Sequence, residues 1–319
     1  MTTYKNIKGI EIKYLSADPP APNAGQVWYN STTKVVKGGI NGVGAWASGG
    51  DLNTARSTLA SAVNATQTAG LAFGGYVSGA VALSEEYNGS SWSEGNDLNV
   101  ARYGLKGMGT QTAALTAGGN SPTIASELYN GTSWSNSTNI PAAKTNAASA
   151  GFETSGLIFG GTPPSTGDVN TYLWNGSAWS EVGDMNEAKR NMAGFGTSTA
   201  AISAGGETPP VTVNVELYNG SSWTEIANLN TARRGCGGSG TATDGLVYGG
   251  TTGSFTAVTE AWNGTAWTEV ADLATARATH GSMGTGTASL AAGGETSGNL
   301  AATEEWTVPS FTTKTFDTD

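Results

Sequence analysis

Short apolar stretches alternate with runs of Gly, Asn, Ser and Thr along most of the chain. No stretch has the apolar periodicity of about 3.6 residues that marks a long amphipathic helix. Within residues 51–95, the apolar stretches have the length of short strands and are separated by turn-forming residues, which predicts four antiparallel strands. The pattern therefore predicts an all-β protein.

This strand pattern repeats with a period near 44 residues. A glycine pair recurs once per repeat, and its second members are Gly75, Gly119, Gly161, Gly206, Gly250 and Gly294. A tryptophan column has the same period and consists of Trp46, Trp92, Trp134, Trp179, Trp223 and Trp267. A basic column lies ten residues after the tryptophans and consists of Arg56, Arg102, Lys144, Lys189, Arg233 and Arg277. The shared register predicts about six copies of one structural unit.

Asn-Gly pairs precede the tryptophans of five repeats and predict tight hairpins. Asn-Gly suits a two-residue type I′ turn, in which both central residues have positive φ. With Asn88 and Gly89 as that turn, Glu85 lies opposite Trp92 on the same face of the sheet. The aromatic columns are then expected to pack between neighbouring sheets.

The order of basic residue, Gly-Gly pair, aromatic residue and tryptophan resembles the kelch repeat over about residues 46–306. The resemblance implies a kelch-like β-propeller of about six four-stranded blades. One feature departs from it, because Tyr87 and Trp92 enclose four residues where kelch repeats commonly have six. The outer hairpin is therefore expected to be tighter than in kelch proteins, and their ligand-binding loops cannot be mapped onto this chain.

Trp46 lies one period before Trp92 but has no glycine pair of its own, and the last repeat has no Asn-Gly pair after Trp306. A strand containing Trp46 is therefore predicted to complete the last blade and close the propeller. The alternative is that Phe311 fills that position.

The breaks in the repeat predict three segments. Residues 1–40 form an N-terminal arm with a short hairpin, residues 41–308 form the propeller, and residues 309–319 form a C-terminal tail.

The chain has a formal net charge of −10, and 13% of its residues are charged. An acidic protein lacks the basic face that nucleic-acid binding requires. Ten Trp, ten Tyr and seven Phe residues recur at regular intervals and supply the apolar area that folding needs. No apolar run reaches the length of about 20 residues that spans a membrane, and the first residues lack the apolar core of a signal peptide.

Residues typical of catalysis are scarce. His280, the single histidine, occupies the same repeat position as Leu59 and as Cys236, the single cysteine, so both are expected to pack in the core. Neither a nucleophile with its base nor a set of metal ligands can be assembled, and we expect no enzyme activity, metal or cofactor.

Carboxylates recur beside the basic column, namely Glu85, Glu127, Glu216, Glu260 and Glu304. They are expected to form structural ion pairs with it. The second interpretation is that the basic column lines a central channel and binds an anion.

The segment GQVWYNSTTKVVKG (Gly25–Gly38) resembles the N-terminal segment of bacteriophage structural and tail-fibre proteins. The resemblance implies a non-catalytic virion protein, displayed in several copies on a tail, tail fibre or capsid. Its arm would bind other virion proteins, and its propeller would be free to bind a host receptor or glycan. The alternative is a soluble cytoplasmic kelch-type module that binds a protein or a glycan.

Overall fold

A computed structural model describes residues 12–19, 26–40, 43–120, 123–163, 167–309 and 312–316. The chain divides into two compact units: Met1–Ala45 with Thr307–Asp319, called here the arm unit, and Trp46–Trp306, called the repeat unit. None of the described residues is helical, which agrees with the predicted all-β class.

Strands β1 to β4 are Lys13–Leu15, Val27–Asn30, Val35–Ile40 and Ala45–Ser48. Strands β5 to β12 are Ala60–Ser61, Gly70–Phe73, Ser84–Tyr87, Trp92–Glu94, Lys106–Gly109, Ala114–Ala117, Ser126–Tyr129 and Trp134–Ser137. Strands β13 to β20 are Ala148–Phe152, Ser155–Phe159, Thr171–Trp174, Trp179–Glu181, Ala193–Thr197, Ala200–Ala204, Val215–Tyr218 and Trp223–Glu225. Strands β21 to β28 are Gly237–Gly240, Gly245–Tyr248, Thr259–Trp262, Trp267–Glu269, Gly281–Gly284, Ala288–Ala292, Thr303–Thr307 and Thr312–Phe316.

The described strands form seven four-stranded sheets, one more than the six predicted. Six sheets follow the repeat and are called here blades 1 to 6 in chain order. Blades 1 to 5 each consist of four consecutive strands, β5–β8 through β21–β24. The additional sheet has the order β1-β2-β3-β28 and includes a parallel pair between β1 and β2. The repeat count could not reveal it, because its strands lie outside the repeat.

Blade 6 has the strand order β25-β26-β27-β4, so the strand that contains Trp46 supplies its fourth strand, as predicted. The Trp46 ring lies 5.6 Å from the Trp306 ring and 4.8 Å from the Tyr248 ring. Phe311, the alternative candidate for this position, lies outside the described residues.

Residues 309–319, predicted as a C-terminal tail, include strand β28. Strand β28 pairs with β3, so residues from both ends of the chain share the sheet of the arm unit. The side chain of Asp18 accepts hydrogen bonds from Trp28, Asn30 and Lys37 in the same unit. These donors lower the pKa of Asp18 to about 2.

The predicted hairpin register is wrong by a shift of two residues on β8. Tyr87 pairs with Trp92, and Glu85 pairs with Glu94 rather than Trp92. Gly89 has positive φ and Asn88 does not, and the Asn88 amide donates to the Ser91 carbonyl at 3.1 Å. The two central residues of the loop are therefore Gly89 and Ser90. The Asn88 side chain instead accepts hydrogen bonds from the Ser90 and Ser91 amides. Asparagine thus stabilises the turn from its first position.

The tryptophan column joins neighbouring blades, as predicted. Trp134 of blade 2 donates its indole N–H to Ser84 of blade 1, and Trp92 of blade 1 donates to Thr303 of blade 6. Most members are nearly buried, but Trp46 and Trp179 are only partly buried. The first strands of the blades contact one another in chain order, and β25 of blade 6 contacts β5 of blade 1.

Candidate functional site

The basic column lies inside the blades, where all six members are at most 1% exposed. Arg102, Arg233 and Arg277 pair with Glu127, Glu260 and Glu304 at 2.6–2.9 Å. The Arg56–Glu85 and Lys189–Glu216 pairs repeat the arrangement. None of the six lines the two small cavities that lie where the first strands of the blades come together. The geometry is that of the structural ion pairs, not that of an anion-binding channel.

The third repeat has Tyr172 where the other repeats have a glutamate. Lys144 pairs there with Asp168, and its amino group lies 5.2 Å from the centre of the Tyr172 ring. A different carboxylate and a cation–π contact thus replace the missing glutamate.

Two residues after each member of the basic column, the chain forms a circle of backbone hydrogen bonds. The residues of this circle are Thr58, Gly104, Asn146, Asn191, Gly235 and Thr279. The amide of each bonds to the carbonyl of the one before it at 2.6–2.9 Å, and the amide of Thr58 bonds to the carbonyl of Thr279. The six bonds therefore return to their starting residue.

All members of the circle have positive φ, between 48° and 65°. Glycine and asparagine adopt this conformation readily, whereas a β-branched residue such as Thr58 or Thr279 is strained in it. The circle keeps these threonines in place because each is bonded on both sides. Sequence reasoning missed this feature, although Gly or Asn at four of the six aligned positions was a signal for it.

The glycine pairs lie at the same end of the blades as the circle, and we call this end the ring face. Backbone bridges join the residue after a glycine pair to the residue before a circle member, for example Tyr76 to Ser57 and Thr251 to Arg234. The Asn-Gly turns lie at the opposite end, because β6–β7 and β7–β8 are successive antiparallel connections. We call that end the hairpin face.

One side of the ring face is charged. The Oε1 atom of Glu207 lies 2.9 Å from Arg190 Nε, 2.8 Å from Arg234 Nη1 and 3.1 Å from Asn191 Nδ2. The Arg234 side chain remains 44% exposed. The carboxylate therefore orients two arginines beside the circle while one of them stays accessible.

Two tyrosines lie on the other side of the circle, whereas an exposed phenylalanine lies beside Arg234. The rings of Tyr76 and Tyr103 pack edge-to-face with their centres 5.3 Å apart, and Tyr76 is 39% exposed. Phe255 is also exposed and lines an open depression of about 500 Å³ together with Arg234 and Glu295. Exposed aromatic faces beside charged groups form a surface suited to binding a polar ligand with apolar faces.

Two small cavities of about 40 Å³ each lie next to the circle, where the first strands of the six blades come together. We call them the axial cavities. Leu59, Lys106, Met192, Cys236 and His280 line both of them. Desolvation lowers the pKa of His280 to about 4 and raises the pKa of the Cys236 thiol. At neutral pH the imidazole is therefore uncharged and the thiol is protonated.

His280 and Cys236 lie at the packed positions that the sequence predicted, although these positions face the axial cavities. The His280 ring stacks on Tyr248 with 5.3 Å between the ring centres. No three His, Cys, Asp or Glu side chains come together as metal ligands within the ranges the structure describes. The described chain also contains no apolar helix that could span a membrane.

Comparison with solved structures establishes the architecture. The structure of YjhT is similar to this one with a TM-score of 0.65 and 14% identity, over 83% of this chain and 99% of that chain. The chain folds as a β-propeller. No protein-family model matches this propeller, and no curated protein matches it either. At this identity the similarity concerns the fold alone, so the function has to be argued from the ring face.

Proposed function

We propose that the chain is a non-catalytic binding propeller of the kelch type, closed through β4 and displayed on a bacteriophage particle. In this proposal the ring face binds a receptor or glycan of the host surface. The arm unit binds other virion proteins, in several copies per particle.

The observation that carries the proposal is a contrast between repeated and varied positions. The buried ion pairs and the turn asparagines keep the same chemistry in most repeats, as their structural roles require. The positions just before the circle instead carry five residue types. Ser57 and Ala278 are buried, and the partly exposed members are Tyr103, Thr145, Arg190 and Arg234. Variation at the exposed positions of one face of a repetitive scaffold favours recognition by that face.

The distribution of basic residues also favours binding through the ring face. Residues 46–306 contain nine Lys and Arg residues, and six of them belong to the buried basic column. The remaining three are Lys106, Arg190 and Arg234. Lys106 lines the axial cavities, and the two arginines flank the circle members Asn191 and Gly235. The basic residues of the repeat unit that lie outside the buried column are thus concentrated around one opening.

Display on a virion is supported by the arm. The phage-like segment Gly25–Gly38 supplies β2 and most of β3, which belong to the arm unit rather than to the repeat. A separate unit suits attachment, because its own residues can contact the particle without using the surface of the repeat unit. We therefore expect removal of residues 1–40 to abolish incorporation into particles, with thermal unfolding of the same protein as a check on the repeat unit.

Binding is tested with a matched pair of exposed phenylalanines. Phe255 on the ring face is 39% exposed, and Phe152 at the β13–β14 turn on the hairpin face is 38% exposed. On host cells and on an immobilised glycan panel, Phe255→Ala should weaken binding by about ten-fold, the effect of losing one aromatic anchor. Phe152→Ala should leave binding within about two-fold of the unmodified protein. Equal losses for the two variants, or a loss confined to Phe152→Ala, would contradict binding through the ring face.

A further inference from the structure

Lys106 begins the first strand of blade 2, and it is the one large residue among the six that begin the first strands of the blades. The other five are Ala60, Ala148, Ala193, Gly237 and Gly281. Small residues at these positions leave room on the axis, and the Lys106 side chain lies in that room, where it lines both axial cavities.

The Lys106 ammonium has no carboxylate partner among the described residues. Every other Lys or Arg of the repeat unit forms an ion pair at 4.0 Å or less. The residues that line the two cavities include no Asp or Glu. Desolvation lowers the pKa of Lys106 to about 8. The amine is therefore still mostly charged at pH 7, and this partly buried residue has no counter-charge in the cavities that it lines.

We propose that Lys106 binds a small monovalent anion, of the size class of chloride or bromide, in the axial cavity. The missing carboxylate is the reason for an anion, since an ammonium group that lines a cavity is stabilised by an opposite charge beside it. Hydroxyl groups at Ser61, Ser149 and Ser282 and the neutral His280 give the rest of the lining a polar but uncharged character.

The size of the cavities limits the ligand. A cavity needs about 10–15 Å³ on this measure to hold one water molecule, so about 40 Å³ accommodates a halide with a water or two. A sugar or a nucleotide phosphate is too large. This site is therefore distinct from the ligand-binding surface proposed for the ring face, and the two proposals can fail separately.

Bromide is a suitable probe because it can be located directly. Crystals of the full chain grown in sodium bromide are expected to show an anomalous peak within hydrogen-bonding distance of Lys106 Nζ. In solution, bromide replaces gluconate at constant ionic strength while thermal unfolding is followed. A ten-fold excess of bromide over its Kd should raise the midpoint by roughly 2–4 °C.

The Lys106→Met variant should lose both the peak and the shift. If it does not fold, Lys106→Ala replaces it, because alanine occupies the aligned positions in three other repeats. Lys13→Met, which removes an exposed lysine of the arm unit, should keep both signals. An empty cavity in the unmodified protein, or an equal bromide shift in the Lys106 variant, overturns the proposal.

Discussion

At the scale of single residues, each glutamate of the buried pairs holds two segments of the chain. Glu260 pairs with Arg233 through Oε1 and accepts the Asn230 amide through Oε2 at 2.7 Å. Glu216 does the same for Lys189 and Asn186. The glutamates therefore fix the segment that leads from one blade into the next, which explains why an acidic residue recurs at this position.

Glu260→Ala should destabilise the protein by about 3–5 kcal/mol, because it leaves Arg233 buried without a counter-charge. Glu269 is the matched control, since it pairs directly opposite Glu260 across the β23–β24 ladder but is exposed. Glu269→Ala should change the free energy of unfolding by no more than about 0.5 kcal/mol. Urea denaturation measures both, and similar losses in the two variants would show that the buried pair is not what stabilises the blade.

His280 makes stability depend on pH. Its pKa is about 4 in the folded state against an ordinary 6.5, so above pH 6.5 it is neutral in both states and has no effect. As the pH falls from 6.5 towards 4, the unfolded chain takes up the proton first and the folded state loses stability. At pH 4.5 this loss should reach roughly 2–3 kcal/mol.

The His280→Leu variant lacks this contribution, and leucine already occupies the aligned positions 59 and 105. We expect it to be folded at pH 7 and to lose less stability than the unmodified protein between pH 7 and pH 4.5. Parallel curves of unfolding free energy against pH would show that His280 is not buried as described.

At the scale of elements, contacts between blades depend on the tryptophan column. Trp223 is 5% exposed, donates to Thr171 of the preceding blade and packs 4.7 Å from the Phe159 ring. Trp223→Ala should therefore cost about 3–5 kcal/mol. Trp179 belongs to the same column, but it is only partly buried and donates to the Thr138 carbonyl at the surface. Trp179→Ala should cost less, and thermal unfolding that ranks the two variants in the opposite order would contradict this packing.

Periodicity in the sequence predicted the strands and the interblade tryptophans, but not the register of the outer hairpins. Asn-Gly fits a turn with Asn88 and Gly89 at its centre as well as the observed turn with Gly89 and Ser90 at its centre. The choice depends on whether the asparagine side chain accepts hydrogen bonds from the backbone amides of the loop. Here Asn88 uses its side chain to accept two amide hydrogen bonds. The tendency of Asn and Gly to adopt positive φ carries no information about these side-chain hydrogen bonds. The sequence therefore placed the turn one residue too early.

At the scale of the whole molecule, the positions outside the repeat were the least predictable. The role of Trp46 in blade 6 followed from its register, because an aligned position was vacant there. The pairing of β28 with β3 has no counterpart in the repeat and gave no signal. The circle of backbone bonds was hidden for a different reason, since its members share a conformation but not a side chain.

Two truncations isolate the contribution of β4 to blade 6. A chain of residues 44–319 keeps β4, whereas a chain of residues 49–319 lacks it and leaves the edge of β27 unpaired. In the shorter chain we expect faster amide exchange over Thr303–Thr307 and self-association by size-exclusion chromatography, because an unpaired edge recruits other strands. Both truncations disrupt the arm unit, so identical behaviour would show that β4 does not protect the blade.

Cryo-electron microscopy of phage particles that carry this chain tests the central claim most directly. Our account predicts several copies of the repeat unit on the particle surface, with the arm unit against the particle and the circle of Thr58 and its equivalents directed outward. Particles purified without this chain, or density in which the ring face is buried against the virion, would contradict it.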